Sequence, residues 1–217
     1  MFKLFFFLCL IASSVSADQG PVRYVALGDS YTIGTGAAPD ESWPAVITSQ
    51  LKNKGVPIEL AANLGRNGWT TQDLIDYELP RARELKPDVV TVMIGVNDWV
   101  QGVPPQVFQK HLEYILGELL ALVPNPQHIL VMTIPDFSVT PTGRLFANGR
   151  DIAQGIKGFN QIIIAEAQQH HLKTVDLFIL SQAMGQDPSL IAADGLHPSA
   201  KEYAQWAAYI NPNFIAN

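Results

Sequence analysis

Three residues of this chain have types and spacing suited to nucleophilic chemistry: Ser30, in Gly28-Asp29-Ser30, and the pair Asp194 and His197, in Asp194-Gly195-Leu196-His197. A serine hydroxyl is a weak nucleophile at neutral pH and becomes useful once an adjacent base takes its proton. A histidine with a carboxylate three residues before it suits that task, because the carboxylate can hold Nδ1 and leave Nε2 facing the serine. Between them in sequence lie Gly68, in Asn63-Leu64-Gly65-Arg66-Asn67-Gly68, and Asn97, in Gly95-Val96-Asn97-Asp98. Gly68 can offer a backbone N–H with no side chain in the way, and Asn97 can donate from its carboxamide. With the Ser30 N–H they form an oxyanion hole for a tetrahedral intermediate, in which one lost donor costs about 100- to 1,000-fold in rate. The chemistry implied is acyl transfer to water through an acyl-enzyme, which needs no metal and no organic cofactor. Because His197 must be neutral to act, activity is expected to fall on acidification.

The other histidines fit this role less well. His111 falls inside a helix-like stretch, His128 precedes a strand, and His170-His171 closes a helix with no third metal ligand in view. Asp29 and Asp98 flank the reactive positions and are read as backbone-holding groups. Trp69 and Trp99 flank the oxyanion donors, where walling an acyl pocket and packing are both open readings. There is no Gly-x-Ser-x-Gly elbow, no His-Glu-x-x-His, no cysteine cluster and no phosphate-binding loop.

The elements that must carry these residues show in the hydrophobic pattern. Apolar, β-branched runs predict strands near 23–28, 58–63, 88–94, 128–133 and 173–176, alternating with helices near 42–54, 71–85, 105–123, 151–171 and 199–209. Pro105 suits a first helical turn and Gly55 a helix stop. Such alternation predicts one domain with a parallel sheet and helices on both faces, three layers in all. In open sheets of this kind ligands bind beyond the carboxyl ends of the strands. Ser30 follows the first strand, Gly68 the second and Asn97 the third, while Asp194 and His197 come after the last.

At the start of the chain, Lys3, the apolar run 4–12 and the small residues up to Ala17 read as a cleaved signal peptide spanning 1–17, leaving 18–217 as a single domain. The run is too short to cross a bilayer, so no stable membrane anchor is expected. The whole chain carries 14 Lys and Arg against 20 Asp and Glu, for a formal net charge of −6. Cleavage would remove Lys3 and Cys9, the only cysteine, giving a charge of −7 and no disulfide. The acidic balance argues against nucleic acid as a partner. The protein is expected in the periplasm or outside the cell, with an oligomeric state that its sequence does not specify.

The blocks Gly-Asp-Ser30, Gly68, Gly-Val-Asn97-Asp and Asp194-Gly-Leu-His197 resemble those of the SGNH hydrolases, also called GDSL esterases and lipases, in order and over nearly the whole mature chain. The resemblance implies an α/β fold, a flavodoxin-like three-layer α/β/α sandwich with a five-stranded parallel sheet. It implies Ser30 as nucleophile, His197 as base, Asp194 as its orienting carboxylate, and Ser30, Gly68 and Asn97 as the oxyanion hole. Gly65 competes with Gly68 for the second block. Gly68 is preferred because it leaves Thr70-Thr71 to begin the helix. The size and spacing are similar to the small bacterial thioesterase I/lysophospholipase-like branch, whose acyl specificity is loose. A lipid or small-molecule acyl ester is therefore the expected substrate. Ile33, Ile134, Phe137 and Val139 are the expected acyl-chain wall. Alternatives are a carbohydrate O-deacetylase or acyltransferase on the same site, or a non-catalytic binding module.

Overall fold

The computed structural model describes residues 20–210, so the expected signal peptide at 1–17 lies outside the described residues. The chain runs β1 (Val22–Gly28), α1 (Ser30–Ile33), α2 (Trp43–Asn53), β2 (Ile58–Asn63), α3 (Thr71–Asp73), a π-helical turn (Leu74–Glu78), α4 (Leu79–Leu85) and β3 (Val89–Met93). It continues through α5 (Val96–Gln101), α6 (Pro105–Leu122), β4 (Ile129–Met132), α7 (Ile152–Gln169), β5 (Lys173–Val175), α8 (Leu177–Ser181) and α9 (Ala200–Tyr209). All strand pairings are parallel, in the order β2-β1-β3-β4-β5. The central strands β3 and β4 are buried along their whole length, as a sheet covered on both faces requires.

The order of the strands creates the site. From β1 the chain goes outward to β2, then crosses back to lay β3 on the other side of β1. Loops leaving the carboxyl ends of β1 and β3 therefore diverge and leave a crevice between them. Helices α2 and α9 pack together on one face, with α2 also against β2. Helix α6 packs with α4 and α7 in the other layer, and α7 lies against β4 and β5. Trp43, Trp206 and Tyr203 fill the first layer, and Phe108 of α6 stacks on Phe159 of α7 at 4.5 Å in the second. Truncating a buried aromatic of this kind costs about 3–5 kcal/mol, which matters in a fold without a disulfide.

The helix expected over 71–85 is broken. Pro80 is the reason: it has no N–H for the regular ladder, and the ladder loosens just before it, so that the Leu79 N–H reaches Leu74 O across a wide turn. The turn delivers Glu78 into the core, where Oε2 accepts the Gly28 N–H at 2.9 Å and Oε1 has no partner. Helix starts are capped as their sequences suggest, by Asp151 accepting from Gln154 and Ser199 from Glu202. Thr71 is fixed by Asp98, which accepts from its N–H and its hydroxyl, tying the start of α3 to α5. Asn63 donates to Thr32 O at 2.7 Å, and Asn160 brackets the Ile134 peptide from both sides.

Several of these anchors are carboxyls out of water. Burial pushes Asp29 up to about 8, against the opposing Tyr31 N–H hydrogen bond and with help from the nearby Asp98. Burial likewise raises Glu78, Asp98 and Glu202. The unfolded chain loses these protons in the ordinary carboxylate range while the folded chain keeps them, so stability falls as pH rises through that window. The melting temperature is expected to decline from about pH 5 to about pH 8, and Asp29→Asn, which keeps an acceptor for the Tyr31 N–H, should flatten the decline. Parallel melting curves for the two proteins across that range would show that Asp29 does not take up the proton.

Candidate active site

The nucleophile candidate stands where β1 leaves the sheet. Gly28 has φ +149, and a Cβ there would lie 2.1 Å from Met93 O and 2.3 Å from Thr32 Oγ1, so only glycine fits. Asp29 then caps α1 by accepting the Tyr31 N–H at 3.0 Å, and Ser30 begins the helix, 7 % exposed. Gly34, with φ 88, ends α1 after one turn.

Asp194 and His197 form one rigid unit. Asp194 Oδ1 accepts the N–H groups of Leu196 at 2.9 Å and His197 at 3.0 Å, while Oδ2 lies 2.6 Å from His197 Nδ1. Facing a carboxylate, Nδ1 carries the proton, which leaves Nε2 as the free acceptor. The Asp194 carboxyl is partly buried, which works to raise its pKa. Its hydrogen bonds from the His197 ring and the two amides outweigh that and hold it below the usual carboxylate value. The turn itself is held by Thr142, whose hydroxyl donates to Asp194 O and whose N–H donates to Gly195 O, both at 2.9 Å. The Tyr31 ring meets the imidazole edge-on at 5.7 Å. Ser30 and His197 face a common cavity without a hydrogen bond between Oγ and Nε2. Such contacts are commonly long in empty sites and tighten with substrate.

The donors expected for an oxyanion border the same cavity. Gly68 sits in the turn closed by Trp69 N–H to Arg66 O, at φ +79, a position that favours glycine. Among the described residues the N–H groups of Ser30 and Gly68 have no acceptor. Asn97, near the start of α5, spends one amide hydrogen on Trp69 O at 2.8 Å, which orients the carboxamide and leaves the other hydrogen free. The competing Gly65 is used differently: a Cβ there would press on Asp29 O at 2.7 Å and Ile33 N at 2.8 Å. It packs against the nucleophile turn, and Gly68 borders the cavity.

The cavity, about 210 Å³, has an apolar end made by Val96, Val100, Phe137, Phe146 and Leu196. Of the expected acyl wall only Phe137 lines it. Ile134 lies buried in the core, near Phe108 and the Gly95 backbone, because its peptide is clamped by Asn160. Val139 packs against Gly185, and Ile33 points into a neighbouring groove. Trp69 lines that groove too, and Trp99 is buried against Phe137 with the Arg150 guanidinium over its ring, so neither tryptophan walls the cavity. Tyr31, Asn67, Val96 and Leu196 adjoin motif residues in sequence, and Val100 follows Asn97 by one helical turn, which was a usable signal. Phe146 arrives from a long loop with no signal. His111 bonds the Thr71 hydroxyl at 2.9 Å, away from the cavity lining. Among the described residues no group of three or more His, Cys, Asp or Glu could hold a metal, and no helix is long and apolar enough to cross a membrane.

The GDSL-like lipase/acylhydrolase family profile matches residues 26–205, which include Ser30, Gly68, Asn97, Asp194 and His197. An arylesterase of Vibrio mimicus is 25 % identical over 212 residues, covering 96 % of this chain and 93 % of its own. Thioesterase 1/protease 1/lysophospholipase L1 of Escherichia coli K12 is 26 % identical, covering 90 % and 83 %. The fold is shared with Axe2, an acetylxylan esterase of Geobacillus stearothermophilus, at a TM-score of 0.71, 21 % identity and coverage of 90 % and 95 %. With this architecture and a match running through every part of the cavity's polar set, the chain belongs to the GDSL-like lipase/acylhydrolase family and is a carboxylic ester hydrolase.

Proposed function

We propose that the chain is an exported esterase of broad acyl specificity, acting on lysophospholipids and other short- to medium-chain acyl esters through an acyl-enzyme on Ser30. The observation that carries this reading is the Asp194–His197 pair at 2.6 Å on a cavity shared with Ser30 and two backbone N–H groups that lack acceptors.

In the first step His197 Nε2 takes the Ser30 Oγ proton as Oγ attacks the acyl carbonyl carbon. The charge developing on the carbonyl oxygen meets the Ser30 and Gly68 N–H groups and the free Asn97 amide hydrogen. Asp194 stays ionised and stabilises the imidazolium. The intermediate collapses as His197 returns the proton to the leaving alcohol oxygen. Water then repeats the attack, with His197 again as base, and releases the acid and Ser30. The acyl chain lies against Phe137, Phe146 and Val100, where lipid-like chains are drawn from water. The E. coli relative, whose name includes lysophospholipase and thioesterase, supports this substrate range. Removal of 1–17 would place the enzyme in the periplasm or medium.

Hydrolysis of p-nitrophenyl esters from acetyl to palmitoyl by residues 18–217 tests the reading. Ser30→Ala should lose activity by ~10⁴-fold or more, and Asp194→Asn by about 10⁴-fold. Asn97→Ala should lower kcat by about 100- to 1,000-fold with the fold intact. A Ser30→Ala protein as active as the parent would end the proposal. Phe146→Ala should cut kcat/KM about fivefold or more on hexanoyl and longer esters, the loss of ~1 kcal/mol of apolar contact, and spare acetyl ester. An acetyl-only profile in the parent would favour deacetylation instead. N-terminal mass analysis of the exported protein should find Asp18 first.

A further inference from the structure

A second hollow adjoins the catalytic cavity, sharing Asn67 with it. It is built from the loops after β1 and β2, by Thr35, Pro39, Arg66, Asn67 and Trp69 among others, and neither Phe137 nor Phe146 lines it. An ester has two arms on its carbonyl carbon. With the acyl arm in the apolar end, the alcohol arm leaves across Asn67 into this groove. Arg66 is the one charged residue lining it, is exposed, and forms no ion pair among the described residues. Its backbone is fixed by its N–H on Gly28 O and by the Trp69 N–H on its own carbonyl, both at 3.3 Å.

We propose that Arg66 selects esters whose alcohol arm carries an oxyanion, a phosphate or a carboxylate, by pairing with it in this groove. The inference rests on the acyl-enzyme reading of Ser30. A guanidinium presents a planar fork of donors that suits both oxyanions. Among the described residues no carboxylate pairs with it directly. Burial pushes Asp29 behind the loop up to about 8 and raises Glu78 above the usual carboxylate range against the opposing charge of Arg66, and Glu41 on the next turn faces the Ala38 N–H at 2.9 Å. In a chain of net charge −6 an unpaired cation beside the site stands out as a local exception to a field that repels anions.

The test compares kcat/KM on matched esters with one acyl chain. One pair is 1-butyryl-glycerol 3-phosphate against 1-butyryl-glycerol, and the other is 3-carboxy-4-nitrophenyl butyrate against 4-nitrophenyl butyrate. In Arg66→Gln the anionic-to-neutral ratio should fall about five- to tenfold relative to the parent, through KM, and Arg66→Lys should restore part of it. A fall in the phosphate pair alone assigns the groove to phosphate-bearing alcohols, and a fall in both to oxyanions generally. The parent's preference should shrink in high salt. Unchanged ratios in Arg66→Gln, or equal losses on neutral and anionic esters, would overturn the role of Arg66. Hydrolysis that survives Ser30→Ala would instead overturn the catalytic reading, so the two failures are told apart.

Discussion

At Gly28 the end of β1 lies so close to Met93 of β3 that a Cβ would fall 2.1 Å from the Met93 carbonyl oxygen. This close approach sets the rest of the rim. It lets the chain turn sharply out of the sheet and start α1 at Ser30. Glu78 holds the same glycine from below through its N–H, Arg66 donates to its carbonyl, and Gly65 packs against Asp29 and Ile33. The serine is thus placed by backbone packing from β1, β3, the loop after β2 and the π-helical turn together. A side chain at Gly28 or Gly65 would push this junction apart and move Ser30 relative to His197.

Carboxyl groups divide into two populations around that junction, by environment alone. Asp29, Glu78 and Asp98 are buried, with pKa values raised by that burial, and serve as acceptors for backbone amides and a hydroxyl. Asp194 is half in solvent, accepts two amides and an imidazole, and is held ionised. The same carboxyl group thus supplies both structural posts and the charge that steadies the histidine, as burial and hydrogen bonding push the values apart. The cost is borne by stability, since buried carboxyls with raised pKa values become a liability as pH rises.

The cavity and the proposed alcohol groove meet at Asn67. The apolar end is indifferent to detail, because chains of different length gain from the same non-directional burial. The Arg66 side is polar and directional. Loose acyl selection and sharper selection of the alcohol can therefore coexist in one site, each set by a different pair of loops.

Much of the fold was legible without coordinates because parallel strands buried on both faces read as continuous apolar runs, as Val89–Met93 does, and because caps such as Asp151 and Ser199 announce helix starts. The polar set was legible too: Ser30, Gly68, Asn97 and the Asp194–His197 spacing each sit in a short motif whose local geometry does most of the positioning. Even the break in the helix over 71–85 had its signal in Pro80. The lining of the cavity was a different matter. Ile134, Val139 and Ile33 had the right chemistry, yet a clamp from Asn160, packing on Gly185 and the turn after Ser30 sent them elsewhere, while Phe146 arrived from a long loop. The sequence by itself determined the candidate reactive groups and the layers that carry them, since both follow from local pattern. Only the tertiary structure decided which apolar side chains line the cavity and that Arg66 forms no ion pair in the groove beside it, because those depend on contacts between loops distant in the chain.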